Sequence, residues 1–288
     1  MTELFNMYDP DFIAGCAELA MLLEVSATPK PGNVDRTHDF EDVTYEHFLA
    51  SAVGIFPVFK KAASAQHRIG GLILDAVQAS ATWQSAGNCH FGAILLLIPL
   101  CAAARKSSTI SQLKTNLVRV VKGTSSADAI QFYESFRSVH VRVGEHHYLD
   151  VNDASSLQAI KQQNLTLWDV MQISSPNDTI AKEWIEGFPR TFYGAELVTH
   201  YVESGLSVKN SIVHLFLRLL SEFPDTLIAK KFSTDLALEV SAKAAHILKE
   251  GDADEFDNEL VARHVNPGTT ADLVIGSLFV VLLGGFRY

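Results

Sequence analysis

The sequence predicts an all-α protein, organised as a single compact multi-helix domain over residues 1–288 with short helices packed in layers. Three observations support this class. Apolar residues recur at three- and four-residue spacing, strand-like alternation is nearly absent, and proline and glycine are scattered singly rather than gathered in a linker. The length of 288 residues and an apolar fraction of 48% suffice for a sizeable core.

Four helices are expected in the first third of the chain. The dipeptide Asp9-Pro10 is a capping signal ahead of apolar residues at helical spacing. A second helical pattern begins near Thr44, and Pro57 within it should introduce a kink. The third and fourth helices are expected at Leu72–Trp83 and along the apolar run Phe91–Ala104.

The rest of the chain continues the helical pattern without an internal repeat. The segment Val139–Val151 alternates somewhat and is the one strand candidate. The expected helices are Ile110–Val121, Ser126–His140, Ser155–Gln163, Leu167–Ile173, Asp178–Gly187, Thr191–Glu203, Val208–Glu222, Asp235–Lys249, Asp254–His264 and Thr270–Leu283.

Composition narrows the classes of partner. A formal charge of −10 argues against nucleic acid, which requires a surplus of Lys and Arg on one face. The longest apolar runs fall short of the ~20 residues that span a bilayer, so no membrane partner is expected. Three cysteines in apolar surroundings and an N-terminus without a signal-peptide pattern favour a cytoplasmic protein. The sequence leaves the oligomeric state open, and a homodimer is compatible with it.

The densest polar chemistry lies in the loop from Glu24 to Asp42. Pro29 and Pro31 prevent a regular helix there, and Gly32 permits a tight turn. Two carboxylates of this loop could reach one hard cation such as Mg²⁺, although a solvated acidic turn is the alternative reading. The candidate residues are Glu24, Lys30, Asp35, Arg36, His38 and Asp39.

Three further polar clusters interrupt the apolar pattern. The first groups Asp75, on the preceding helix, with Asn88 and His90 at the start of an apolar helix, whose N-terminus could bind phosphate. Each cluster can also be interpreted without a functional role, as helix capping or as solvated surface charge. The second cluster is Asp225 with Lys230 and Lys231, and the third is the turn from Asn266 to Asp272. In that turn, Thr269 or Thr270 would cap the last helix, and Asp272 would lie in its first turn. The sequence lacks the phosphate-loop and dinucleotide-binding signatures and the common zinc and serine-hydrolase motifs.

Taken together and in order, these segments resemble the triphosphoribosyl-dephospho-coenzyme-A synthase family. Matches in one order over about 250 residues are far more specific than any single motif. The matching segments are Glu24-Val25, PKPGNVDR from Pro29, His38-Asp39, GNCHFGAI from Gly87, NDTIA from Asn177, DTLIAKKF from Asp225 and NPGTTADL from Asn266.

The resemblance implies an ATP-using transferase. In the family's reaction the 2′-hydroxyl of dephospho-CoA attacks the ribose C1′ of ATP, adenine leaves, and the triphosphate survives. By this resemblance, Mg²⁺ would be held by Asp35 and Asp39, and the catalytic candidates would be Glu24, Asp75 and Asp272. The nucleotide- and phosphate-binding candidates would be Lys30, Arg36, His38, Asn88, His90, Asp225, Lys230, Lys231 and Asn266.

One departure from the family pattern leaves the acceptor open. Bacterial family members read Asn-Thr-His-Lys-Gly where this chain has Asn88 to Gly92, so Phe91 replaces a lysine. An aromatic ring is suited to stacking or core packing rather than to phosphate. The chain therefore resembles a divergent, archaeal-type branch. A related transferase acting on another cofactor precursor and a non-catalytic nucleotide-binding protein are the alternatives.

Overall fold

A computed structural model describes residues 9–64, 68–87, 89–138 and 154–287 of the chain. The strand candidate Val139–Val151 and Asn88 lie outside the described residues. Every element of the described part is a helix or a connecting turn, so the predicted all-α class is confirmed. None of its helices is both long enough and apolar enough to cross a membrane.

Eight helices lie between residues 10 and 174 of the described chain. Their bounds agree with the predicted segments to within a few residues, with the third helix beginning three residues earlier than expected. They are α1 (Pro10–Ser26), α2 (Tyr45–Ser64), α3 (Ile69–Trp83), α4 (Phe91–Ala104), α5 (Ile110–Lys122), α6 (Ser126–Ser138), α7 (Ala154–Gln163) and α8 (Leu167–Ser174).

Seven helices follow, and one of them is a short turn of helix that the periodicity did not indicate. They are α9 (Thr179–Glu186), α10 (Pro189–Glu203), α11 (Val208–Glu222), the short α12 (Thr226–Lys231), α13 (Thr234–Glu250), α14 (Asp254–Ala262) and α15 (Gly268–Leu283). The last helix begins at Gly268 after Pro267, and neither Thr269 nor Thr270 caps it as expected.

The two most apolar helices form the centre of the molecule. Helix α15 packs against α1, α4, α10 and α11, and α4 also contacts α2, α3 and α5. Nearly all side chains of α4 and α15 are buried, as expected for helices that are hydrophobic on every side. The N-termini of both helices, together with the C-terminus of α1, border the polar loop of residues 27–44.

Helix α4 contains Pro99, which leaves a carbonyl without its usual helical donor. Proline lacks an N–H, so the carbonyl of Leu95 four residues earlier loses its partner inside the helix. The indole N–H of the fully buried Trp184 donates to this oxygen at 2.9 Å. The contact therefore satisfies a buried carbonyl and joins α9 to α4.

Replacing Trp184 by phenylalanine should lower the free energy of unfolding by about 1–3 kcal/mol, because the Leu95 carbonyl would be left buried and unpaired. Urea unfolding would measure the change. Trp168→Phe is the matched control, since the half-buried Trp168 ring packs at the edge of the core and against Lys122, and its replacement by another aromatic ring should cost under about 1 kcal/mol. Equal losses in the two variants would contradict the role assigned to the Trp184 hydrogen bond.

Candidate active site

The polar loop between α1 and α2 is folded around the buried Lys30. Its ammonium group donates to Glu24 Oε1 at 2.5 Å, to Asn33 Oδ1 at 2.9 Å and to the carbonyl of Val34 at 3.2 Å. Lys30 is 0% and Glu24 2% exposed. All three N–H donors of the ammonium are thus occupied, and Lys30 positions the loop rather than offering a free charge.

Asp35 is fixed by its own loop. Its Oδ2 accepts from the Lys30 backbone N–H at 3.1 Å, and its Oδ1 accepts from the N–H groups of Thr37 and His38 at 2.8 and 3.1 Å. The Thr37 hydroxyl donates to the same oxygen at 2.9 Å. This fully buried carboxylate holds the backbone so that the His38 ring faces it.

Asp257, in the first turn of α14, joins the loop to a helix 225 positions later in the sequence. Its Oδ1 accepts from the Gly32 N–H at 2.9 Å, and its Oδ2 lies 2.9 Å from His38 Nδ1. Gly32 has a φ of +74°, and a Cβ there would lie 2.3 Å from the carbonyl oxygen of Val265. Only glycine fits this approach, because a side chain would collide with backbone.

Asp35, His38 and Asp257 form a group that fits a divalent cation. One ligand atom from each lies within 4.8 Å of the other two. Oδ2 of Asp257 is buried and has no hydrogen-bond partner among the described residues, because its contact with His38 lacks hydrogen-bond geometry. Burial raises the pKa of Asp257, opposed by the Gly32 N–H and by His38. A cation bound by carboxylate oxygens and an imidazole would satisfy this orphaned oxygen.

Two other loop residues predicted for the site lie outside this group. Asp39 is exposed, and its Oδ1 accepts from the N–H of Tyr45 at 2.7 Å at the start of α2. Arg36 is also exposed. The structure therefore brings Asp35 together with His38 and Asp257, and the pairing of Asp35 with Asp39 on one cation stays a prediction that this geometry does not favour.

His90 lies buried before the first turn of α4. Its Nδ1 is hydrogen-bonded to Ser51 Oγ at 2.9 Å, and Ser51 is bonded in turn to Ser80 Oγ at 2.7 Å. Its Nε2 is buried without a partner among the described residues. Burial and the charge of Lys30 lower the pKa of His90 to about 3, so the ring is neutral near pH 7. A neutral imidazole with one free nitrogen is suited to contact a bound polar group.

The depressed pKa of His90 predicts a pH-dependent stability. The unfolded histidine binds a proton near pH 6.5, whereas the folded one does so only near pH 3, so stability falls as the pH drops through this window. Between pH 6.5 and 4.0 the wild type should lose about 3 kcal/mol more than His90→Gln. Chemical denaturation of both proteins at the two pH values measures this difference, and parallel losses would contradict a buried neutral His90.

Asp272 lies beside the same helix terminus. Its Oδ1 accepts from the Ala93 N–H at 2.8 Å, and a Cβ at Gly92 would lie 2.0 Å from its Oδ2. Asp272 therefore caps α4, whereas the sequence predicted that it would serve its own helix. Burial and the negative charge of Glu24 raise its pKa, although the Ala93 N–H lowers it. Burial also raises the pKa of Glu24, while Lys30 lowers it.

Asp225 links α12 to the first turn of α15. Its Oδ1 accepts from Leu227 and Ile228 N–H groups, and its Oδ2 accepts from the Thr270 N–H and hydroxyl at 2.8 and 2.9 Å. Both oxygens of this buried carboxylate are thus engaged, and burial raises its pKa. Its structural role is to dock α12, and direct phosphate contact by Asp225 stays a prediction.

The remaining predicted residues divide between the site and the surface. Asn266 Oδ1 accepts from Asn33 Nδ2 at 2.9 Å and so contacts the loop. Lys230 and Lys231 are both exposed, and Lys230 is ion-paired with Asp178, the N-cap of α9. Asp75, on α3, pairs with Lys61 at 2.6 Å, so the carboxylate is occupied at the protein surface.

Sequence reasoning missed Asp257 and Asp178 as site residues. Acidic residues in the first turn of a helix usually interact favourably with the helix dipole. The acidic first turn of α14 was therefore not interpreted as part of a site. The signal that could have identified Asp257 is its place three residues before the buried Leu260, on the apolar face of its helix. Asp178 lies in the segment NDTIA that matches the family, but it was not selected as a site residue, because it has a complete explanation as an N-cap.

Phe91 resolves the departure noted in the sequence. Its ring lies 4.6 Å from that of Phe136 and 6.0 Å from that of Phe132, both on α6. The residue that stands in place of the bacterial lysine is therefore part of an aromatic cluster between α4 and α6.

Comparisons with known proteins identify the family of the chain and agree with its fold. The profile of the family described as ATP:dephospho-CoA triphosphoribosyl transferase matches residues 10–287. A Malonomonas rubra protein described as a 2-(5''-triphosphoribosyl)-3'-dephosphocoenzyme-A synthase is 22% identical over 308 residues, which cover 96% of this chain and 89% of the relative. A crystal structure from Archaeoglobus fulgidus, described as a triphosphoribosyl-dephospho-CoA synthase, superposes with a TM-score of 0.72 at 31% identity, covering 85% of this chain and all of that one. The chain belongs to the ATP:dephospho-CoA triphosphoribosyl transferase family, a family of transferase enzymes.

Proposed function

We propose that this protein transfers the 5-triphosphoribosyl group of ATP to the 2′-hydroxyl of dephospho-CoA with release of adenine. The ribosyl C1′–N9 bond of ATP breaks, a new bond forms between C1′ and the acceptor oxygen, and the triphosphate stays intact. The proposal is carried by one observation: the group of Asp35, His38 and Asp257 lies at the same loop as the carboxyls of Glu24 and Asp272. The chain also belongs to the family that this reaction describes.

Glu24 and Asp272 suit the two proton transfers that this reaction needs. The hydroxyl proton must be removed, and the departing adenine must be protonated. Both carboxyls have raised pKa values, and the effect is the larger for Asp272, which lacks a cationic partner comparable to Lys30. We assign Asp272 as the acid that protonates adenine and Glu24 as the base, because two coupled carboxyls with separated pKa values divide these roles.

The remaining polar groups position the nucleotide. Asp35, His38 and Asp257 would hold Mg²⁺, which when bound would neutralise charge on the triphosphate. Lys30 keeps the loop closed around Glu24, and the free Nε2 of His90 faces no protein partner among the described residues. Oxocarbenium character at C1′ would be stabilised by the nearby carboxylates, as it is in glycosidases.

The direct test is chromatography of adenine released from ATP, Mg²⁺ and dephospho-CoA. Adenine should appear only when the acceptor is present, and Asp272→Asn should abolish its release while ATP still raises the melting temperature. Asp75→Asn is the control, because Asp75 is paired with Lys61 on the surface of α3. No adenine from the wild type, with ATP still protecting it against heat, would contradict the proposed transfer.

A second candidate keeps the triphosphoribosyl transfer and changes the acceptor. The observation that favours it is Phe91, whose packing against α6 replaces a cation that bacterial family members offer at this position. Incubating the protein with ribose-labelled ATP and a cell extract would label the true acceptor. Label on dephospho-CoA alone would reject the second candidate.

A further inference from the structure

A cleft of about 650 Å³ lies at the opposite end of α4 from the carboxylate-rich loop. It is bordered by the start of α3, the C-terminal ends of α4 and α5, and the start of α6. The 14 residues of α4 rise by 1.5 Å each, so the two ends of the helix are about 20 Å apart. The cleft is therefore separate from the site described above.

Cationic side chains outnumber carboxylates in the cleft. Among the described residues that line it, four are cationic, Arg68, Arg105, Lys106 and Arg119, and Asp128 is the one carboxylate. None of the four cations lies within 4.0 Å of a carboxylate in the part of the chain that the structure describes. Asp128 is already engaged, since it accepts from the N–H of Gly70 at 2.9 Å and from Ser125. In a chain with a net charge of −10, this is a concentration of uncompensated positive charge.

Favourable interaction with helix dipoles explains the positions of three of the four cationic residues, but not that of Arg68. Arg105, Lys106 and Arg119 lie at or just beyond the C-terminal ends of α4 and α5, where cations are favourable next to free carbonyls. Arg68 instead lies at the N-terminal end of its helix. It is the N-cap residue of α3 and makes no capping hydrogen bond with its side chain, so the dipole opposes its charge.

The walls of the cleft indicate the chemistry of its ligand. Arginine pairs with phosphate through two parallel hydrogen bonds, and three arginines border the cleft. Ile69, Leu72 and Val120 provide an apolar wall beside them. The volume is within the ~300–1,000 Å³ of small-molecule sites. A molecule with two or more linked phosphates and an apolar or aromatic part matches both surfaces.

We propose that this cleft is a second binding site, specific for an organic polyphosphate. The site goes beyond the proposed transfer reaction, because none of its residues belongs to the loop or to the start of α4. ATP and dephospho-CoA share the required chemistry, since each joins linked phosphates to an adenosine. The arginines and Lys106 contact the phosphates, and the organic part lies against the apolar wall.

Calorimetric titration with inorganic tripolyphosphate is the first test, and the full chain is used throughout. The double variant Arg68→Gln/Arg119→Gln should bind the probe at least about tenfold more weakly than the wild type, since two charge-assisted contacts are lost. The matched control is Lys209→Gln/Lys249→Gln, which removes two exposed cations from the start of one helix and the end of another. The control should stay within about twofold of the wild type. Equal weakening in the two double variants, or none in either, would overturn the site.

Titrations of the same proteins with ATP and with dephospho-CoA identify the ligand. The compound whose affinity falls about tenfold in Arg68→Gln/Arg119→Gln, and not in the control, is the one that the cleft binds. If the affinity for neither compound falls, the proposal that the cleft binds an organic polyphosphate is wrong. Adenine release from the wild type is measured independently, so failure of the transfer reaction and failure of this site give different results.

Discussion

Replacing Asp257 by asparagine should reduce Mg²⁺-dependent adenine release about a hundredfold or more while preserving the fold. The amide oxygen of the variant can still accept from the Gly32 N–H, so the loop should stay docked on α14. The variant loses the charge on Oδ2, the buried oxygen that lacks a hydrogen-bond partner among the described residues. Adenine release measured over a range of Mg²⁺ concentrations, together with thermal unfolding, would show both effects.

Two further variants make this result specific. Asp254→Asn is the matched control, because Asp254 is exposed in the same turn of α14 and should be close to wild type. Asp39→Asn tests the ligand pair predicted from the sequence. We expect Asp39→Asn to keep its Mg²⁺ dependence, since asparagine can cap the start of α2 equally well. If Asp39→Asn loses its Mg²⁺ dependence and Asp257→Asn keeps it, the sequence-based prediction that Asp35 and Asp39 bind the cation would be favoured instead.

Replacing Lys30 by methionine should lower the free energy of unfolding by about 3–5 kcal/mol. The buried Glu24 carboxylate would lose the ammonium group 2.5 Å away, and the Asn33 and Val34 oxygens would lose their donor. An uncompensated buried charge costs far more than the lost attraction of an exposed ion pair. Guanidinium denaturation at pH 7 would measure the change. Lys209→Met, at an exposed position on α11, is the control and should change stability by under about 0.5 kcal/mol.

The double variant Glu24→Leu/Lys30→Met separates folding from catalysis. Removing both charges eliminates the unpaired carboxylate, so part of the lost stability should return, although the Asn33 and Val34 oxygens still lack their donor. Adenine release should remain absent, because the proposed base is gone. A double variant as unstable as Lys30→Met would show that the ion pair is not the reason for the loss, and recovered activity would exclude Glu24 as the base.

Local signals in the sequence were enough for most of the helices and for the loop. Capping residues and apolar spacing act over one or two turns, so the bounds of α4 and α11 and the start of α1 were predicted closely. The end of α1 was not, because Glu24 was expected in the loop and lies in the last turn of the helix. The two prolines and Gly32 likewise predicted an irregular loop rich in polar groups. The short α12 was missed because six residues are too few to show a helical period.

The composition of the site depended on contacts between distant segments. Asp257 and Asp35 are 222 positions apart, and only packing of the loop on α14 reveals that they share one space with His38. Asp272 has the same sequence signature whether it caps its own helix or another, and the structure places it on α4. His90 is neutral because it is buried near the charge of Lys30, and it is oriented by a hydrogen bond to Ser51, a residue of α2.

The all-α class, the polar loop and the family resemblance thus follow from the sequence, because propensity, capping and motif order act over short stretches of chain. Which carboxylates are buried, which are paired and which keep an unsatisfied oxygen becomes visible only in the folded protein. Burial and charge pairing depend on neighbours that the chain brings together from helices α1, α4, α14 and α15, and no local pattern encodes those distances.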